Sequence, residues 1–240
     1  MERLGSGDEP ISERYARHLQ LKEIGAAGQQ KLQHAAVLLV GVGGLGSPIA
    51  LYLAAAGVGR IGLVDDDRVS LSNLQRQVLY TEDQVGLLKV ECARKRLLQA
   101  NSQMQIDCYP VRLNRENAAE LIRKYDLVID GCDNFATRYL MDDVCREQSK
   151  PYVYGSIGEF HGQLSVFHFQ GAGSYRDLFP EEESLSSVLM PKGVMGVVPG
   201  VVGCMQAAEV VKIITGAGKT LANQLLTIHL LTMEIQLLSC

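Results

Sequence analysis

Ala36-Val37-Leu38-Leu39-Val40-Gly41-Val42-Gly43-Gly44-Leu45-Gly46 decides how this chain folds. Five consecutive apolar residues read as a strand buried on both faces, as the strands of a parallel sheet are. The glycines that follow keep the spacing G-x-G-x-x-G. Gly41 suits a tight turn, Gly43 lets a phosphate approach the backbone, and Gly46 permits close packing of a helix on the sheet. Residues 47–56 are small and apolar and read as that helix, with Pro48 tolerated in its first turn. The helix start offers unpaired N–H groups to an anion. Gly41, Gly43, Gly44 and Gly46 are therefore the candidate nucleotide cradle.

Outward from this unit, strand and helix patterns alternate. Strands are expected at residues 60–64, 104–111, 127–129 and 151–156, and helices at 87–100, 116–124 and 134–149. Such alternation predicts an α/β fold, a Rossmann-like, mostly parallel sheet with helices on both faces. After residue 156 the grammar changes. A strand at 163–169, an acidic irregular stretch at 171–192, a helix at 200–215 and a strand pair at 225–231 and 233–238 extend the sheet, in antiparallel fashion, through the C-terminal third. Residues 1–10 are polar and read as loose, and 11–32 as short helices. One domain is expected over 1–240, with an N-terminal helical segment (1–35), a nucleotide-binding half (36–156) and a sheet-extension half (157–240).

A chain of 240 residues, 47% of them hydrophobic, has enough apolar surface for one large domain. Its net charge of -4 shows no basic excess, so a general nucleic-acid binder is not expected. The six cysteines form no C-x-x-C pair and read as small buried hydrophobes in a reducing compartment. The charged N-terminus lacks the apolar run of a signal peptide. The most apolar stretch, residues 193–208, is too short and too rich in glycine to span a bilayer. A cytoplasmic protein without a membrane partner is the expectation.

The candidate site residues cluster after strand ends. Asp65 ends the second strand, where a carboxylate accepts bonds from both ribose hydroxyls. Asp66 and Asp67 read as solvated neighbours. The glycine loop and Asp65 do not distinguish NAD from ATP. Arg76, in Ser72-Asn73-Leu74-Gln75-Arg76-Gln77, and Lys89 point toward a triphosphate, whose transfer needs cations near oxygens that gain charge. Lys89 lies at a helix start, where the dipole gives a lysine nothing. Asp130 and Asp133 follow a buried strand, where a carboxylate can hold Mg²⁺ beside phosphates; Asp133 could equally cap the next helix.

Four segments, GVGGLG (41–46), LVDDDRVSLSNLQRQ (63–77), VGLLKVE (85–91) and LVIDGCDNFATR (127–138), in this order and spacing, resemble the MoeB/ThiF/HesA family, bacterial relatives of ubiquitin-activating enzymes. The resemblance covers roughly residues 14–216. It implies an adenylyltransferase that joins AMP from ATP to the C-terminal glycine of a ubiquitin-like sulfur-carrier protein ending in Gly-Gly, in molybdopterin or thiamine-type biosynthesis. It implies that Gly43 lines the phosphates, Asp65 binds ribose, and Asn73, Arg76 and Lys89 contact phosphates. Asp133 would organise Mg²⁺ and Asn134 would border the nucleotide. Arg17 matches an arginine that the family supplies across a homodimer interface. The glycines of residues 193–203 match the segment along which the carrier tail lies.

The chain departs from the family in two places. Where relatives carry a first C-Y-x-C of a zinc site, this chain has Ser174-Tyr175-Arg176-Asp177, and it has no second pair; no zinc site is expected. Residues 189–194 lack the cysteine that relatives use for acyl or persulfide chemistry. These losses keep open the activation of a different carboxylate or a tRNA substrate, and a non-catalytic ATP-binding relative. An NAD dehydrogenase leaves Arg76, Lys89 and Asp133 unexplained.

Overall fold

The computed structural model describes residues 13–180 and 193–240. Eight strands form one sheet in the order β3-β2-β1-β4-β5-β6-β7-β8. β1 (Ala36–Val40), β2 (Arg60–Val64), β3 (Gln105–Tyr109), β4 (Leu127–Asp130) and the start of β5 (Tyr152–Gly158) run parallel. β6 (His161–Phe167), β7 (Gln224–His229) and β8 (Glu234–Ser239) continue the sheet antiparallel.

β1 shows why the opening stretch is decisive. Its side chains alternate between two cores, Val37 and Leu39 entering one and Leu38 and Val40 the other. A strand with apolar residues at every position is stable only where helices cover both sheet faces. The order of strands reverses between β1 and β4, because β2 and β3 lie on one side and β5 on the other. In open α/β sheets ligands bind at the carboxyl ends of strands at such a reversal.

Two loops meet there. Gly41 has φ +88°, and a Cβ on it would lie 2.4 Å from the Gly131 carbonyl oxygen. A Cβ on Gly131 would in turn lie 2.2 Å from the Gly41 oxygen. The loops after β1 and β4 touch backbone to backbone, which any side chain would prevent.

Eight helices are described: α1 (Ala16–Leu19), α2 (Gly25–His34), α3 (Gly46–Ala56), α4 (Lys89–Ala100), α5 (Ala118–Arg123), α6 (Phe135–Glu147), α7 (Tyr175–Leu178) and α8 (Val197–Thr215). α3 ends at Gly57 in the left-handed conformation. α8 crosses α3 and packs on β5, β6 and α2. This close crossing uses Gly203, whose Cβ would stand 2.6 Å from the Leu45 oxygen.

Three expectations need correction. The helix expected at 200–215 begins earlier, at Val197, and its 19 residues, with mean hydropathy 1.6, are long and apolar enough to cross a membrane. Packing explains the composition instead: α8 lies against the sheet and buries Gln206 and Glu209, which bond to Asp130, Val153 and Leu221 of the same domain. The stretch 171–180 contains the short helix α7; the rest of the acidic segment, 181–192, and the loose terminus 1–10 lie outside the described residues. Of the six cysteines only Cys92 and Cys145 are buried; Cys240 is exposed and the other three are half-buried.

Candidate nucleotide site

A cleft of about 380 Å³ opens at the reversal point, lined by the glycine loop, the ends of β2 and β4, and the turn carrying Arg76. It brings together the predicted residues except Gly46, Asp130 and Arg17. Gly43, Gly44, Asp65, Asn73, Arg76 and Lys89 border it, as do Gly41, Asp133 and Asn134. Gly46 lies beneath, with its Cβ position 2.2 Å from the Gly41 oxygen, so it acts by letting α3 close onto the loop. Arg17 is exposed on α1 and does not line the cleft.

The peptide of Val42 fixes the glycine loop from both sides. Its N–H donates to Asp65 Oδ2 at 2.8 Å, and its carbonyl accepts from the buried Tyr80 hydroxyl at 2.7 Å. Asp65 Oδ1 accepts from the Asp67 N–H at 2.9 Å. Each carboxylate oxygen therefore has one backbone bond and retains capacity for a hydroxyl donor. Burial raises the Asp65 carboxyl above its ordinary value, against the pull of Lys89 and the two N–H groups.

This shift has a measurable sign. Asp65 takes up its proton at a higher pH in the folded chain than an exposed aspartate does. Adenosine, which offers two ribose hydroxyls and no phosphate, is expected to lose affinity on acidification starting above that ordinary range. An Asp65→Asn variant should lack this step; titration calorimetry from pH 8 downward checks it, and identical profiles would refute the role. A raised carboxyl contributes stability on the acid side, lost as pH rises through the folded value, so loss of binding on acidification is not loss of fold.

Lys89 is the first residue of α4 and is buried. Its ammonium lies 2.7 Å from Asp67 and 4.0 Å from Asp65. Asp67 is thus no bystander: its exposed carboxylate pairs with the buried ammonium of Lys89. Sequence reading missed the pair because its members stand 22 positions apart. The 3-10 turn over Leu71–Asn73 is closed by a reciprocal bond set between Ser70 and Asn73, with Asn73 Oδ1 accepting from Ser70 N at 3.3 Å. The Asn73 carbonyl accepts from Arg76 N and Gln77 N. Asn73 therefore shapes the turn that carries Arg76, beyond any phosphate contact of its own. The Arg76 side chain crosses the loop with Cδ 3.6 Å from a Cβ on Gly44, and Pro199 of α8 sits at 3.1 Å from the same point. Gly44 fits because these two roof it.

After β4 the roles divide. Asp130 is fully buried and committed: Oδ2 accepts from Arg138 Nε at 3.0 Å and from the Tyr152 hydroxyl at 3.1 Å, and Oδ1 from Cys132 N at 3.0 Å. It is a structural anchor and cannot serve as a cleft ligand. Arg138 also donates to the Cys132 oxygen at 3.1 Å, which pins the loop bearing Asp133. The helix cap falls to Asn134, whose Oδ1 accepts from Thr137 N at 3.0 Å. Asp133 is exposed, and its one hydrogen bond among the described residues is from the Asn134 side-chain amide at 3.4 Å. The alternative reading of Asp133 as the cap is thereby set aside.

Gln77 and Arg138 were not singled out from sequence, although both lie in the motifs quoted above. Gln77 is buried and borders the cleft, and its Oε1 has no hydrogen-bond partner among the described residues. Leaving a buried amide oxygen unpaired costs about 1–3 kcal/mol.

For a divalent cation, Asp133 offers the hard oxygen ligand that Mg²⁺ prefers. Asp65, Asp66 and Asp67 also bring carboxylate oxygens within 4.8 Å of one another. The Lys89 ammonium, 2.7 Å from Asp67 and 4.0 Å from Asp65, offsets one of those three charges and opposes a second cation beside it. Asp133 is the better fit.

A reversed parallel sheet with a glycine loop, a ribose-type carboxylate and flanking cations at its carboxyl edge defines a nucleotide-binding α/β domain. More specifically, the chain belongs to the ThiF family, which it matches over residues 15–240. It is 48% identical over 221 residues to the sulfur carrier protein adenylyltransferase of Thermus thermophilus, covering 89% of this chain and 82% of that one. It is 42% identical over 226 residues to a probable molybdopterin-synthase adenylyltransferase of Porphyra purpurea, covering 93% of this chain but 59% of the relative's length. The fold matches a crystal structure of E. coli MccB with ATP at a TM-score of 0.81 and 25% identity, over 94% of this chain and 70% of that one.

Proposed function

We propose that the protein is an ATP-dependent adenylyltransferase that activates the C-terminal glycine carboxylate of a ubiquitin-like sulfur carrier ending in Gly-Gly. The observation that carries this reading is the meeting of Asp65, Arg76, Lys89 and Asp133 in one cleft at the glycine loop. A redox cofactor leaves the last three without a task. The names of the Thermus and Porphyra relatives support the carrier and the molybdopterin-type setting.

In the reaction a carboxylate oxygen of the carrier bonds to the ATP α-phosphorus as the bond from that phosphorus to the bridging oxygen breaks. Pyrophosphate leaves with the electron pair, and the acyl-adenylate remains. No general base is required, because a glycine carboxylate is ionised at neutral pH. The obstacle is the approach of two anions, and fixed positive groups offset it. Asp65 would hold the ribose. Arg76 would meet the phosphates from the turn above Gly44, and Lys89 would exchange Asp67 for a phosphate oxygen. Asp133 would hold Mg²⁺, which neutralises phosphate charge when bound.

Val194 pairs with Glu159 beside β5, and positions directly over Gly193 and Gly200 are open among the described residues. An extended glycine tail would find room there. Arg17, exposed on α1, would serve the site of a second copy in a homodimer.

The test is pyrophosphate release with ATP, Mg²⁺ and a purified carrier ending in Gly-Gly. Release is expected only when all three are present, and is lost when the carrier's last glycine is removed. Release independent of a carrier would favour another carboxylate substrate and overturn the carrier assignment.

A further inference from the structure

The cleft holds a polar side chain that none of the roles above uses. Gln77 is 4% exposed. Its backbone is fixed by the turn, with its N–H donating to the Asn73 oxygen at 2.9 Å and its carbonyl accepting from Tyr80 N at 3.2 Å. Its side chain is not: Oε1 is buried without a partner among the described residues, and Nε2 lies 3.5 Å from the point where a Cβ on Gly43 would sit. Gly43 is the loop position at which a phosphate approaches the backbone. A carboxamide aimed at that position, with no side-chain hydrogen bond to give up among the described residues, can meet a ligand there.

We propose that Gln77 is a nucleotide-contacting residue whose amide N–H donates to a phosphate oxygen over Gly43. The inference rests on the reading of this cleft as an ATP site. Its neighbours supply charge, Arg76 as a fork and Lys89 as a point charge. Gln77 adds a neutral, directional donor, which orients the phosphate chain without placing a further charge beside it.

The experiment compares binding of ATP and of adenosine, by titration calorimetry without any carrier, in the native chain and in two variants. Gln77→Met keeps the volume and removes the amide; Gln77→Glu keeps the shape and reverses the polarity. A hydrogen bond to a charged group corresponds to about a tenfold affinity change or more. Gln77→Met is expected to weaken ATP binding about tenfold and Gln77→Glu about a hundredfold or more, with adenosine affinity unchanged within about twofold in both. ATP affinity of either variant within about twofold of the native value would overturn the proposal. So would an equal loss for adenosine and ATP, which marks a packing role. Thermal melts of each variant show that the fold is retained, and Gln77→Glu keeps the question decidable should Gln77→Met not fold. A native chain that binds neither compound would overturn the ATP reading itself, separately from the role of Gln77.

Discussion

Asp133→Ala is expected to reduce pyrophosphate formation by more than about a thousandfold while leaving the fold intact. The carboxylate stands at the cleft with one long tie among the described residues, to Asn134 at 3.4 Å, so its loss removes little that holds the protein together. The helix that follows is capped by Asn134 and keeps its first turn. On the proposed role the chemical cost is large, because without the Mg²⁺ that Asp133 would hold the two anions must meet with less of their charge offset. Single-turnover pyrophosphate release measures the loss, and the unfolding midpoint controls for structure. A second readout is the Mg²⁺ dependence of ATP binding, which the variant should lack. Turnover within about tenfold of the native rate would remove Asp133 from the site.

The other large effect is on stability. Arg138→Met should lower the unfolding free energy by about 3–5 kcal/mol, because it strands the Asp130 charge in the interior. Asp130 is fully buried, and without Arg138 it retains only the Tyr152 hydroxyl and the Cys132 N–H. In a chain of this length that loss corresponds to roughly 10 °C in the thermal midpoint. Replacing both partners with apolar residues should recover much of it, since the cost lies in the unpaired charge. Denaturant titration of the single and double variants gives both numbers. A single variant within about 1 kcal/mol of native would refute the Arg138–Asp130 pair as a stabilising contact. Function should suffer too, because Arg138 also ties down the Cys132 carbonyl, one residue before Asp133.

Much of this was legible in the sequence, for identifiable reasons. β1 could be read because its apolar run and the glycines after it are local signals. The helix at Gly46–Ala56 and the antiparallel pair β7 and β8 were likewise written in contiguous residues. The cleft residues were legible one by one, because each follows a strand end or sits in a motif. What was not legible was the pairing among them. Lys89 with Asp67, and Gln206 of α8 with the Asp130 carbonyl, join residues 22 and 76 positions apart. No spacing rule links such residues; only the assembled sheet does. Asp130 and Asp133 look alike in sequence, yet one is sealed inside and the other faces solvent. That difference arises because a strand carries Asp130 and the loop beyond it carries Asp133.

The bare-backbone contact between Gly41 and Gly131 has a further result. The two segments that would grip the triphosphate and its counter-ion share a seam with no side chain to act as a cushion. A shift of either one is passed directly to the other, so the two grips set their spacing together. Evolution of this edge is constrained in the same way: a bulkier residue on one side demands that the opposite strand end be rebuilt.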